Sequence, residues 1–228
     1  MSETIETLFR TPQDALVFAY NYSMQRQDRS LVDRLAAPSP RTGKGLSGND
    51  GAGQAGMIRR ELQQLSELDR AVLAARFAPR SWPCSCASPC CSGHMPNPEY
   101  LDAIRTLEQA ALALLAGHLS SYRLRRRLIE KAMGQKIELN ALAKECGVSE
   151  KTAGTHWRII REWVGGRPKP KLNAAAARTR IVADGAAASV ADHDSDIGGG
   201  VLTAIDGIES LARKRADDLL STLPFIDA

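Results

Sequence analysis

The stretch LNALAKECGVSEKTAGTHWRIIREW, from Leu139 to Trp163, decides how the rest of this chain is read. Leu142 and Ala143 supply the inner face of one helix, and Gly147 follows where a sharp turn needs a permissive backbone. Val148 is the apolar plug of that turn, and Cys146 beside it is a small packing residue. Ser149 is a good cap for a second helix, in which Ala153, Trp157, Ile160 and Val164 form the buried stripe. Glu150, Lys151, Gly154, Thr155, Arg158 and Arg161 are left for the outer face. The pattern predicts a helix-turn-helix, whose second helix meets base edges in the major groove with its N-terminal residues. Lys151, Thr155 and Arg158 are the natural readers, the two cations as donors to guanine or phosphate. Glu150 suits a cytosine amine or simple compensation of the helix dipole. His156, at the edge of the stripe, is read as a packed residue rather than a base reader.

Charge is concentrated around this motif. Residues 123–171 carry 13 Lys/Arg against 5 acids, net +8, between a neutral stretch 1–122 and a tail 172–228 of net −4. Such a block is the footprint of a polyanionic partner, the bland alternative being a solvated helix face. Arg123, Arg125, Arg126, Arg127 and Lys131 cluster ahead of the motif and suit phosphate contacts; Arg125 and Arg126 join the DNA-contact set of Ser149, Glu150, Lys151, Thr155, Arg158 and Arg161.

Toward the N-terminus the sequence reads as helices with little strand signal. Thr11-Pro12-Gln13-Asp14 is a helix start, and Arg29 to Leu35 continues or restarts that helix. Pro38 to Gly56 is a loop by composition. Its GKGLSGNDGAGQAG tempts a phosphate-loop reading, but Gly43-Lys44 is followed by Gly45 and Pro38 stands where the first glycine belongs, so no nucleotide site is expected. Met57 to Ala78 is helical, with Ser66-Glu67-Leu68-Asp69 able to cap a second helix inside it. Another helix starts at Asn97-Pro98. Beyond the motif, 165–200 reads as a linker and Val201 to Leu223 as a last amphipathic helix that docks on the body or on a partner.

Between the helices ending at Ala78 and starting at Pro98 lies WPCSCASPCCSGHMP, with Cys84, Cys86, Cys90, Cys91 and His94 offering five ligands for the four places of a zinc tetrahedron. No leader opens the chain and no apolar run is long enough for a bilayer, so a cytoplasmic protein is expected, where disulfides rarely persist. Zn2+ is the first reading of the cluster; reduced structural thiols and a redox sensor are the alternatives. A metal at such an elbow would fix the angle between its helices.

The expectation is an all-α protein: a helical body, 1–122, with a glycine-rich loop and a short cysteine-rich zinc elbow; a basic helix-turn-helix module, 123–165; a flexible linker, 166–200; and a C-terminal amphipathic helix, 201–228. No pair of acids reads as a two-metal site, so no catalytic residue is assigned and no enzyme is expected; Asp192, Asp194 and Asp196 alternate in an Ala/Gly-rich stretch.

The segment from Gly43 to Trp163 resembles the phage Q-type transcription antitermination proteins, the AlpA-like regulators among them. The resemblance rests on GKGLSGNDGAGQAGMI, the LDRAVLAARFAP helix, the CSCASPCCSG elbow and the terminal helix-turn-helix. It implies a sigma-region-4-like module at Leu139–Trp163 and binding to a double-stranded DNA element near a promoter. It also implies bacterial RNA polymerase as partner, with contacts to the beta flap, the RNA exit channel and sigma factor. Such a factor travels with polymerase and carries it through terminators. Neither a membrane nor a small-molecule substrate enters that scheme. The alternative within the class is a promoter-binding helix-turn-helix activator or repressor that does not travel with polymerase. A recombinase or nuclease and a ring-forming terminase-like subunit are readings from other classes.

Overall fold

The computed structural model describes residues 7–22, 48–84, 86, 91–116, 121–167 and 206–226. The expectations for 29–35, for 38–47, for 168–205 and for Cys90 lie outside the described residues.

Helix α1, Pro12–Asn21, begins where the start signal puts it: the Thr11 hydroxyl accepts from Asp14 N at 3.1 Å, and Pro12 needs no donor at the first position. It buries Ala15, Leu16, Ala19 and Tyr20. Helix α2, Gly48–Leu62, corrects the sequence reading, because the second half of the expected loop is helical. Glycine composition argued for a loop, yet Gly51, Ala55, Ile58 and Leu62 fall at spacings of three and four residues and are buried. Packing of that stripe against α1 outweighs the poor helix propensity of glycine. Helix α3, Glu67–Phe77, is separate from α2 and capped by Ser66, whose hydroxyl accepts from Asp69 N at 3.1 Å and donates to the Asp69 carboxylate at 2.7 Å.

Two short strands follow, β1, Ser81–Pro83, and β2, His94–Pro96, paired antiparallel with Trp82 opposite Met95. Helix α4, Pro98–Leu114, then returns along α3, and these two form the most extensive helix pair of the fold. The basic region supplies α5, Tyr122–Ala132, α6, Leu139–Glu145, and α7, Glu150–Gly165. Helix α5 packs on α4 and α7, and α6 packs on α7.

The last helix, α8, Ile208–Leu220, docks on the body: it lies against α3, with α1, α2 and α7 also in contact. Ala212, Ala216 and Leu220 are buried there, and Phe225 and Ile226 just beyond them. Arg215 donates twice to the buried Asp69 carboxylate, at 2.9 and 2.7 Å, and Glu209 pairs with Arg76 at 3.1 Å. Leu8 N and Phe9 N both donate to the Phe225 carbonyl, at 2.8 and 3.2 Å, which brings the two ends of the described chain together. One continuous apolar core runs from Phe9 through α1–α7 to Ile226. No described helix is long and apolar enough to cross a membrane.

Candidate nucleic-acid interface and thiol knuckle

Helices α5, α6 and α7 are delimited by local chemistry. Helix α6 ends in a glycine cap: Gly147 takes φ +65°, its N–H donates to Lys144 O at 3.2 Å, and Val148 N donates to Ala143 O at 3.0 Å. Gly134 closes α5 in the same way at φ +97°, with Gln135 N on Glu130 O at 3.0 Å. Ser149 then caps α7, its hydroxyl accepting from Thr152 N at 3.1 Å. The chain therefore runs helix, tight glycine turn, capped helix over 139–165.

Helix α7 buries Ala153, His156, Ile160 and Val164. His156, only 1% exposed, takes the central place expected for Trp157, because positions 153, 156, 160 and 164 share one arc of the helix. Trp157 is half-buried at the side of that arc, where the Lys131 ammonium stands 5.3 Å from the centre of its ring. The outer face carries Ser149, Glu150, Lys151, Arg158 and Arg161, all exposed. Thr155 is half-buried and its hydroxyl donates to Lys151 O at 3.0 Å. Neither Lys151, Arg158 nor Arg161 forms an ion pair with a described residue. Glu162 is taken by Arg167 at 2.8 Å, and that bond holds its carboxyl below the usual range.

The cluster on α5 differs from the expectation. Arg125 is only 9% exposed, because it lies on the same arc as the buried Leu128 and Ile129; it is a core residue, not a phosphate contact. Arg126 and Arg127 both bind Glu130, at 3.3 and 2.7 Å, and Arg126 also donates to the Tyr122 hydroxyl. Lys131 donates to the Ile137 carbonyl. The cations here that are exposed and outside any ion pair among the described residues are Arg123, Lys136 and Lys144, the last two of which sequence reasoning did not single out. On α4, the buried Glu108 faces Arg125, Arg126 and Glu130; burial pushes its carboxyl above the ordinary range, and its Oε1 has no hydrogen-bond partner among the described residues.

Cys84, Cys86 and Cys91 sit at the tip of the β1–β2 hairpin. Cys84 N donates to Gly93 O at 2.9 Å, continuing the ladder by one pair, and Gly93 turns the chain at φ +77°. The sulfurs of Cys84, Cys86 and Cys91 lie within 4.8 Å of one another and could hold a metal ion. Gly93 N donates to Cys91 Sγ at 3.4 Å, a bond that suits a thiolate more than a thiol. With zinc–sulfur bonds of about 2.3 Å, tetrahedral ligands stand about 3.8 Å apart, so gathering these three sulfurs asks for at most about 1 Å of movement. Left as thiols they share hydrogen bonds, chiefly Cys86 with Cys91, which raises the Cys91 pKa. His94 is exposed on β2 and does not join the sulfur group. Cys146 is half-buried against the core, as its place beside Gly147 suggested, and burial raises its pKa.

The base of the hairpin is closed by a residue the sequence reading used only as a helix start. Asn97 is 1% exposed; its amide donates to Pro79 O at 2.7 Å, its N–H to Arg80 O at 3.0 Å, and its carbonyl oxygen accepts from Glu99 N at 3.0 Å. Comparison with protein-family models, with characterised proteins and with solved structures finds no match to this chain.

Proposed function

We propose that this protein is a sequence-specific DNA-binding transcription antitermination factor, with α6 and α7 as a helix-turn-helix of the sigma-region-4 kind. The observation that carries the reading is the outer face of α7. Lys151, Arg158 and Arg161 are exposed and outside any ion pair among the described residues, on a helix whose opposite face is buried. Exposed cations that are not locked in an ion pair are suited to phosphate and to the acceptor edge of guanine. Lys151 and Arg158 are the base readers, with Thr155 between them; Arg123, Lys136 and Lys144 serve the backbone. The role in elongation rests on the resemblance alone. The net-neutral helical body, 1–122, would dock on RNA polymerase near the exit channel. Zn2+ is the ion proposed for the knuckle, with Cys84, Cys86 and Cys91 among its ligands.

In vitro transcription across an intrinsic terminator tests the reading. Readthrough should rise on templates carrying the binding element and stay unchanged when that element is scrambled. An equal rise in terminated and readthrough products would instead mark a promoter-bound activator that does not travel with polymerase.

A further inference from the structure

We infer that the metal of the thiol knuckle shapes an exposed tip and does not hold the helical body together. The inference rests on the proposed zinc site and assigns its role. A metal that braces the fold has to tie parts of the core to one another, and here the core is already closed beneath the hairpin. Among the described residues from Pro79 to Pro96, none belongs to the core or packs against it. Every residue of β1 and β2 is exposed, and so is Cys86. The angle between α3 and α4 is set lower down, by the buried Asn97 bridging Pro79 and Arg80 to the start of α4, and by the apolar contact along the two helices. What remains above Asn97 is a short ladder with Trp82 opposite Met95, 36% and 50% exposed. Among the described residues, the tip beyond that ladder is held by the Cys84 N–Gly93 O bond, the Ser92 hydroxyl on His94 O at 3.2 Å and the sulfur group.

Both edges of this hairpin are closed to further strand pairing. Cys84 and Gly93 form a hydrogen-bonded pair, so by alternation Trp82 and Met95 do too, and Pro83 and Pro96 occupy the positions whose N–H would point outward. The tip is therefore built to present side chains rather than backbone, with Trp82 and Met95 on one face and His94 on the other. A thiophilic divalent ion gathering Cys84, Cys86 and Cys91 fixes their positions relative to one another, at a site whose loss leaves the core untouched.

The experiment uses the full chain purified without chelator. Metal analysis should give about one zinc per chain. Stripping the metal should raise amide exchange across 81–96 and leave exchange in α3 and α4 unchanged. The thermal midpoint, followed by helical circular dichroism, should fall by less than about 5 °C, where loss of a metal coupled to folding lowers it by far more. The Cys84→Ser, Cys86→Ser, Cys91→Ser triple variant, which cannot form disulfides among these positions, should behave like the stripped protein. Asn97→Ala should lower the midpoint more than either. A zinc-bearing protein whose midpoint falls by more than about 5 °C on stripping, or whose triple variant is unfolded, would overturn the inference and leave the zinc site standing. Protein free of metal would overturn the zinc site itself.

Discussion

Helix α8 and the two aromatic-rich ends make a sharp prediction about what the C-terminal region contributes. Truncation after Arg167 removes Leu220, Phe225 and Ile226, each less than a tenth exposed, together with Ala212 and Ala216. At about 1.5–3 kcal/mol for each large apolar side chain buried, the three large residues alone account for about 5–9 kcal/mol. Truncation also strips Asp69, itself 5% exposed, of both hydrogen bonds from Arg215. The total is comparable to the whole stability of an ordinary domain, about 5–15 kcal/mol, so the truncated chain should not fold.

Excision of residues 168–205 should do the opposite. A Cβ built on Gly207 would lie 2.3 Å from Gly166 N and 2.2 Å from Val164 O, so the chain leaves α7 and re-enters α8 at the same point. Joining Arg167 to Asp206 makes Gly166-Arg167-Asp206-Gly207 a four-residue turn, which needs Cα ends closer than about 7 Å. Cutting a 38-residue connection to a few residues removes roughly three doublings of loop length, each about 0.6 kcal/mol, a gain near 2 kcal/mol. For a chain of this size that raises the thermal midpoint by about 4–8 °C. Circular dichroism melts of the full chain, the excised chain and the truncated chain decide it, with one excised version carrying two extra glycines to relieve any strain at the join. If both excised versions melt well below the full chain, the described core is not self-sufficient and the reasoning fails.

Three further outcomes are expected. Arg158→Ala or Lys151→Ala should weaken binding to the preferred DNA element by about 1–3 kcal/mol and relax specificity at one base pair, whereas Arg123→Ala should weaken all sequences alike and reduce the salt slope by about 1. Equal losses on specific and scrambled DNA for Arg158→Ala would remove it from the reading set. On the exposed side of α2, where an added Cβ meets nothing within 4 Å, Gly53→Ala and Gly56→Ala should each stabilise the protein by about 0.5–1 kcal/mol, checked by urea unfolding. A loss of stability there would mean that a contact outside the described residues reaches this face. The raised carboxyl of Glu108 makes folding stability fall as pH rises from the ordinary value of 4.5 toward its folded pKa, because the folded state holds its proton longer than the unfolded one. Glu108→Gln should remove that downward slope, and an unchanged profile of stability against pH would show that Glu108 ionises freely.

Helix ends were the part of this fold most legible in the sequence, for a local reason. The caps at Thr11, Ser66, Asn97 and Ser149 and the glycine turn at Gly147 each close within a few residues, so short windows contain the whole interaction. What the sequence left open or misjudged depended on distant partners. The docking of α8 turns on Arg215 meeting Asp69, 146 residues away, and no local pattern announces it. Helix α2 looked like a loop because six glycines from Gly43 to Gly56 dominate the composition there, while the buried Ala55, Ile58 and Leu62 that hold it count only once α1 is in place. The β1–β2 hairpin was hidden by its prolines, which argue against strands, although both stand where the missing N–H would have faced away from the partner strand.

The candidate site divides along the same line, and the division bears on function. On α7 the sequence separated most of the inner from the outer face, with His156 and Trp157 exchanged and Gly154 and Thr155 half-buried, because a 16-residue helix with a strong stripe defines its own buried arc. On α5 a run of arginines overrode the pattern: a sum of charges cannot tell an exposed guanidinium from one held in an internal network. Arg125 is buried and Arg126 and Arg127 are committed to Glu130, so much of the basic density counted at 123–131 is used inside the fold. The charge left for a polyanion is therefore more focused than the net +8 of residues 123–171 implies. Among the described residues it lies on the outer face of α7 and at Arg123, Lys136 and Lys144. Charge narrowed to the outer face of a capped helix suits the base-reading role proposed for α7, whereas charge spread over the block would serve the phosphates alone.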